Sequence, residues 1–469
     1  MTLAAAGPGG KPARAVRWGV ALGGALVAGV LVAGPVPGSP GPAARASLAI
    51  AALAVGLWGS ELIPMPLTAA LALILLAASG AVARRVDALD GLTSPVLFFL
   101  LGTAGLGIAA QQTGLANRMV NALLGASRRS GRRLLLGLLA SLPLQPLIFP
   151  SAITRNVVLV PVYQRILDAL HRPPRLGAAI MLTLGVLGPL ASSVFLTGGI
   201  APVAAQQAIG GFTWFSWFIT LAVPYYAVLA LGSLLVFTMF RPEPTGASAA
   251  VEASSPPAAP RFSGAELRLL LIGAGVVVLW LTDGATHWSP AVPALLALAV
   301  MLLPGVGVMS WKAYLRQAPW GIAWVLAAAV SLGHAVTATG AAAWLAGGLF
   351  HLFPAGHGPG MMALAIYAVT ALITLAIPNR AAAVTLCIPL ATAYAATGAL
   401  PAVVAGLIVL VAVDVESLYP AQAPAGLLAF QAGYFSAGQL VAFNLALLAL
   451  GALVVLLVGL PWWSTVLVR

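Results

Sequence analysis

The chain has 469 residues, of which 61% are hydrophobic and only 7% are charged. A water-soluble domain carries roughly 25% charged residues, so a water-covered surface is excluded and the lipid bilayer is the expected surrounding. The net charge of +12 does not point to nucleic acid, because the basic residues lie between apolar runs, as loop residues of membrane proteins do.

In lipid only helices and closed barrels satisfy their own backbone polar groups. A barrel would show alternating segments of about ten residues, whereas Trp18–Ala33, Leu67–Val82 and Leu440–Leu460 are long and continuous. The expected fold is therefore all-α and polytopic, with about eleven transmembrane helices. A basic tail (1–17) precedes the first span, at about 18–35 within residues 18–45. No clean small-residue cleavage site follows it, so this span is expected to stay uncleaved. Further spans fall near 46–60, 64–82, 93–110, 177–199 and 214–240, then 267–282, 291–306, 320–338, 401–418 and 438–460. Residues 241–266 between the two groups are rich in Pro, Ala and Ser at their start (RPEPTGASAAVEASSPPAAPRFS) and read as a flexible linker. Two apolar segments, 134–168 and 360–398, carry a polar break in the middle and read as re-entrant hairpins.

With the N-terminus in the cytoplasm, sixteen basic residues, from Lys11 to Arg316, face the cytoplasm, and only Arg45, Arg84, Arg85 and Arg469 face the other side. This sorting obeys the positive-inside rule and fails if either hairpin is read as a single span. Arg155 and Arg380 remain, one inside each hairpin.

The two halves resemble each other at a near-constant offset. Leu106-Gly107 with Thr113-Gly114 matches Leu332-Gly333 with Thr339-Gly340, 226 positions on. Pro150 and Pro161 match Pro378 and Pro389 at 228, and Thr197 through Pro202 matches Tyr419 through Pro424 at 222. Residues 46–240 and 267–469 thus read as two repeats, each with a hairpin and a broken helix (177–210 and 401–432). Five crossings in the first repeat start the second from the opposite side, so the repeats are inverted. Inverted repeats with broken helices near the midplane are a signature of secondary transporters.

Irregular backbone at membrane depth is tolerated where it lines a cavity or is buried in protein. The hairpin tips and helix breaks therefore supply the candidate substrate-binding residues: Ser151, Thr154, Arg155, Asn156, Thr197, Gly198, Asn379, Arg380 and Gln422. Each break opens a half-helix whose free N–H groups suit an anion. An arginine mid-membrane costs about 2.5–3.5 kcal/mol on the insertion scale; Arg155 and Arg380 either grip a substrate carboxylate or tie the tips structurally. Asp414 and Glu416, in VAVDVESLYP, are candidates for pairing with an arginine or carrying a coupling proton. Two residues apart on a helix, they are expected to face different sides. Glu61 reads as an interfacial residue, His334 as a hydrogen-bonded core residue and Cys387 as a small buried hydrophobe. Trp214, Trp217, Trp462 and Trp463 read as belt anchors. No histidine or cysteine spacing suggests a metal site, and no nucleophile–base set suggests an enzyme.

Trp58 through Leu71, with Glu61, Pro64 and Thr68, resembles the opening segment of the divalent anion:sodium symporter family of dicarboxylate, citrate and sulfate transporters. Thr197-Gly198-Gly199-Ile200-Ala201-Pro202, Phe212 through Trp217, Tyr419 through Pro424 and Gly433 through Gln439 fit the same order of parts. The resemblance covers about residues 46–465 and implies a homodimer whose transport half moves like an elevator against a scaffold half. Sodium-coupled members carry Ser-Asn-Thr at both tips, where this chain has Ser151-Ala152-Ile153 and Pro378-Asn379-Arg380, with Val203 and Ala425 in place of the loop asparagines. Arg155 is similar to the tip arginine of the sodium-independent exchanger branch. The resemblance thus implies transport of a small anion, by exchange or with weak sodium dependence. No cofactor is expected, and the motifs that hold sodium are degraded. A proton- or sodium-coupled symporter of another oxyanion such as sulfate stays open, as do a transport-inactive relative and a membrane-embedded enzyme.

Overall fold

A computed structural model describes residues 11–34, 38, 40–60, 62–118, 130–148, 152–241, 262–350, 358–375, 380–418 and 422–467. Regular structure among them is helical, with no strands. Among the described residues six helices have both the length and the apolar composition to cross a bilayer, and eight apolar helices are shorter. Each of the eleven expected spans overlaps a helix, although the helix of the expected 177–199 span ends at Ser192.

The first group is α1 (Lys11–Ala33), α2 (Pro42–Ser60), α3 (Met65–Ser79) and α4 (Pro95–Thr113). The expected first hairpin is α5 (Gly131–Ser141) and α6 (Ala152–Ala169). Next come α7 (Pro174–Ser192), α8 (Ile200–Ile209) and α9 (Trp214–Phe240). The second group opens with α10 (Gly264–Leu281), α11 (Ala291–Leu302), α12 (Trp311–Gln317) and α13 (Trp320–Ala338). The expected second hairpin follows α14 (Ala341–Phe350) and comprises α15 (Pro359–Thr374) and α16 (Arg380–Ala395). Finally α17 (Ala402–Val415), α18 (Pro424–Gln431) and α19 (Ala437–Val466) close the chain. Neither α12 nor α14 figures among the expected spans; at 7 and 10 residues both are too short for a span to be read from hydropathy.

Local chemistry sets the ends. Thr213 accepts from Ser216 N while Ser216 Oγ accepts from Thr213 N, and Ser436 and Gln439 make the same reciprocal pair before α19. Proline in the first turn starts α3, α4, α7, α15 and α18, where a missing N–H costs nothing.

Packing between the groups is reciprocal. Helix α3 lies on α13 and α4 on α11, while α8 lies on α16 and α18 on α6. The most hydrophobic 18-residue window of α7 is 94% buried and that of α10 only 22%, so α7 lies at the centre and α10 at the periphery. Glycines permit the closest contacts. A Cβ on Gly102 of α4 would come within 2.6 Å of the Ala294 backbone on α11, whereas Gly273 on α10 has nothing within 4 Å.

Gly102→Leu therefore forces α4 and α11 apart. It is expected to lower thermal stability in detergent by the roughly 1–3 kcal/mol typical of overpacking, while Gly273→Leu leaves the melting temperature within error. Equal melting temperatures for the two variants would refute the close α4–α11 contact.

Candidate functional site

Helices α6, α8, α16 and α18 begin at the four breaks read from the sequence. The centre is built on α7, whose middle is a π turn over Thr183–Leu187. There Gly188 N reaches back five residues to Thr183 O. The next nitrogen belongs to Pro189, which has no hydrogen to give, so Leu184 O lacks its donor within the turn. Asn156 on α6 fills the gap, donating Nδ2 to Leu184 O at 2.8 Å and to Ala425 O of α18 at 3.0 Å. Asn156 is fully buried. Its amide joins α6, α7 and α18 at one point.

Arg155, its neighbour, is also fully buried. Nη1 and Nη2 each donate to Ser192 Oγ at 3.2 Å, and Nε has no partner. Among the described residues no carboxylate lies within ion-pair distance of this guanidinium. Gly188 leaves room for it, since a Cβ there would sit 3.2 Å from Nη2. Beyond Ser192 the chain turns so tightly that a Cβ on Gly198 would lie 1.8 Å from Ser192 O. Glycine is required there. Thr197 Oγ1 accepts from Trp214 Nε1 at 3.1 Å, which pins this break to the start of α9.

The second half repeats the piece and adds charge. Arg380 Nη2 donates to Ser417 Oγ at 2.7 Å. Both Arg–Ser bonds span 37 positions, so both residues shift by the same 225 between halves. Here, however, Arg380 Nη1 lies 3.9 Å from Asp414 Oδ1, and Asp414 Oδ2 accepts from Tyr225 Oη at 2.8 Å. Glu416, 1% exposed, accepts from Gln422 Nε2 at 2.9 Å through Oε1, while Oε2 has no partner. Gln422 Nε2 also reaches Thr374 O at 3.4 Å.

The space beside Ser417, bounded by Gly185, Ala423 and Phe435, is about 10 Å³, room for about one water. A larger cleft of about 510 Å³ is lined by Arg175, Phe240 and Gln439 at the ends of α7, α9 and α19. Neither Arg155 nor Arg380 lines it. Among the described residues, Arg155, Asp414 and Glu416 are buried and Arg380 is largely so.

Several sequence expectations change. Helix α17 ends at Val415 and Glu416 is extended (φ −77°, ψ 125°), so opposite-side placement on a helix does not apply to Asp414 and Glu416. Trp214, Trp217 and Trp463 are at most 5% exposed, and Trp217 and Trp463 donate to Ser193 O and Thr220 O. Trp462 is half-buried and donates to Ile219 O. These tryptophans hold helix ends and breaks inside the protein rather than forming an interfacial belt. His334 is 56% exposed and faces Asp90 at 4.0 Å, outside the core. Cys387 is buried and free, and no His, Cys, Asp or Glu group among the described residues is arranged to hold a metal. Ser151, Asn379 and Glu61 lie outside the described residues, as does the Thr154 side chain. Ser192, Ser417 and Tyr225 are absent from the sequence candidates. The equal 37-residue spacing was the available signal for the serines, and the Pro224-Tyr225 step inside an apolar span for the tyrosine.

A family model described as "Sodium:sulfate symporter transmembrane region" matches residues 18–468. A Cupriavidus necator protein named "Membrane protein" is 26% identical over 398 residues, covering 80% of this chain and 76% of that protein. A Bacillus subtilis protein named "Putative malate transporter YflS" is 27% identical over 306 residues, covering 61% of this chain and 62% of that protein.

Removing one member of a buried ion pair typically costs about 3–5 kcal/mol. The 3.9 Å separation places Asp414→Asn near the low end. That variant is expected to melt below wild type and Arg380→Gln/Asp414→Asn to recover most of the loss. A double variant that loses the sum of the single losses would show that the two groups do not interact.

Proposed function

This chain belongs to the sodium:sulfate symporter family, and on that premise we propose that it is a secondary carrier of a small organic anion, a di- or tricarboxylate. The proposed setting is the cytoplasmic membrane, crossed with the N-terminus inside. Membership makes the protein a multi-pass transporter and not an enzyme. The observation that carries the substrate reading is Arg155: a fully buried guanidinium with a hydroxyl partner and, among the described residues, no carboxylate. A substrate carboxylate supplies the missing charge through charge-assisted hydrogen bonds. The helix starts of α6, α8, α16 and α18 add oriented N–H groups, with Thr197, Gly198 and Gln422 at the same breaks, where the sequence also puts Ser151, Thr154 and Asn379. Malate is the first substrate to test, since a relative's name carries it.

The reciprocal packing of α3 with α13, α4 with α11, α8 with α16 and α18 with α6 supports two inverted repeats. So does the matched Arg–Ser spacing. On this reading repeats 46–240 and 267–469, joined by the 241–266 linker, give two exchangeable conformations of one site. The hairpins and broken helices then form a transport half that moves like an elevator within a homodimer. At both tips a guanidinium group stands beside the break, and the described side-chain oxygen of the first tip is Asn156 Oδ1 alone, where sodium needs several oxygen donors. Sodium fits them poorly, which supports exchange or only weak sodium dependence.

Thermal stabilisation by succinate, malate, oxoglutarate, citrate and sulfate tests the site. At least one is expected to stabilise wild type, with the effect lost in Arg155→Ala and partly kept in Arg155→Lys. A ligand that stabilises Arg155→Ala as well as wild type removes Arg155 from the site. In proteoliposomes, counterflow without sodium is expected; strong accumulation driven by a sodium gradient would defeat the coupling proposal.

A further inference from the structure

Four charged groups lie at or beside the helix breaks: Arg380 faces Asp414 and acts on Glu416, while Arg155 is held by Ser192 and Asp414 by the adjacent Ser193. Three have an evident assignment. Arg155 is the proposed anion contact, while Arg380 and Asp414 face each other and are held further by Ser417 and Tyr225. Glu416 is left over. It is 1% exposed, keeps one hydrogen bond from Gln422 through Oε1, and has no partner for Oε2 among the described residues. A proton added to Oε2 breaks no existing bond.

Glu416 is not needed to build the break. The Arg–Ser bond recurs in both halves at the same 37-residue spacing, yet the first-half counterparts of Asp414 and Glu416, 225 positions earlier, are Pro189 and Ala191. Asp414 answers Arg380. Among the described residues Glu416 has no cation within 4 Å, and Arg380 acts on it only at longer range.

We propose that Glu416 is the proton site of the carrier, taking up one proton as an anion binds at Arg155, so that anion and proton cross together. This inference rests on the anion-carrier reading above and specifies its coupling. With Glu416 ionised, two acids act on Arg380, and Arg155 is the one charge without a carboxylate among the described residues. An arriving anion then leaves the closed, low-dielectric centre with excess negative charge, a costly state unless it is neutralised. A proton on Oε2 removes one unit of that excess. It leaves water on the loading side, resides on Oε2 as an O–H bond, and returns to water when the anion departs.

The surroundings leave Glu416 as the group free to titrate. Helix α16 brings Arg380, already paired, and Cys387, buried and apolar in its setting. Helix α15 brings Tyr367, whose hydroxyl donates to Leu448 O at 3.0 Å. Helix α9 brings Tyr225 and α17 itself brings Asp414, which are bonded to each other. Helices α8 and α19, and the 188–192 turn of α7, bring no titratable side chain to this contact.

The decisive measurement is isothermal calorimetry of malate, succinate, citrate and sulfate binding to the full chain in detergent. Each is run in two buffers of different ionisation enthalpy, which gives the protons taken up per anion bound. Wild type is expected to take up about one proton per anion, and its affinity to fall by up to tenfold per pH unit where that proton is linked. Glu416→Gln, which keeps an oxygen for Gln422, is expected to bind with an affinity independent of pH and with proton uptake near zero. Wild-type binding without proton uptake overturns the proposal, as does undiminished uptake by Glu416→Gln. Binding of none of the four anions would instead defeat the anion-carrier reading, and this inference with it. The wild-type proton count stands on its own if the variant fails to fold.

Discussion

A guanidinium held inside an apolar protein must find acceptors for its hydrogens and a balance for its charge, and the centre of this molecule is arranged around doing so twice. Each half starts a helix at or near an arginine and returns a serine hydroxyl to it 37 residues later. A continuous helix would keep its carbonyls and hydroxyls engaged along its own axis. Breaking α7 after Ser192 and ending α17 at Val415 turns polar atoms toward the arginines instead. The breaks that weaken the helices as membrane spans are thus what allow charge to sit among them.

Two backbone constraints place the first break. Pro189 withholds one N–H from the π turn, so a carbonyl inside α7 needs a side-chain donor, and Asn156 supplies it while also holding α18. Gly198 then lets the chain fold back onto Ser192 at a distance that a Cβ would forbid. Proline, asparagine and glycine act as one unit here. Losing the donor leaves a buried carbonyl unsatisfied, at about 1–3 kcal/mol, and adding a Cβ shifts the serine that serves Arg155. Geometry at the guanidinium therefore depends on residues that never touch it.

Much of the fold was legible in the sequence because lipid makes it so. Composition excludes water as the main surrounding, and helix length follows bilayer thickness. The breaks were legible as polar interruptions at matching offsets, which is why α6, α8, α16 and α18 begin where expected. Side-chain partners were not. Whether Asp414 meets Arg380 depends on how α16 and α17 pack, and whether Glu416 turns the same way depends on where α17 stops. The tryptophans misled for a related reason: at span ends their position suits an interface, and only packing shows that Trp217 and Trp463 point inward to backbone carbonyls.

The two halves match in the Arg–Ser spacing but not in charge, and on the proposed reading that difference bears on how one site serves both sides of a membrane. Matched frames give two conformations of similar energy, as alternating access requires. A centre of matched charge, with two bare guanidinium groups, would hold a dianion tightly and release it slowly. Here Asp414 offsets Arg380 and leaves Arg155 as the stronger electrostatic contact. On the proposed reading the substrate's two ends meet unequal partners, a full charge at the first tip and a neutralised pair at the second. Binding is then oriented, and it is weaker than two bare arginines would make it. For a carrier, that moderation favours turnover, because an anion bound too firmly in one conformation raises the barrier to reaching the other.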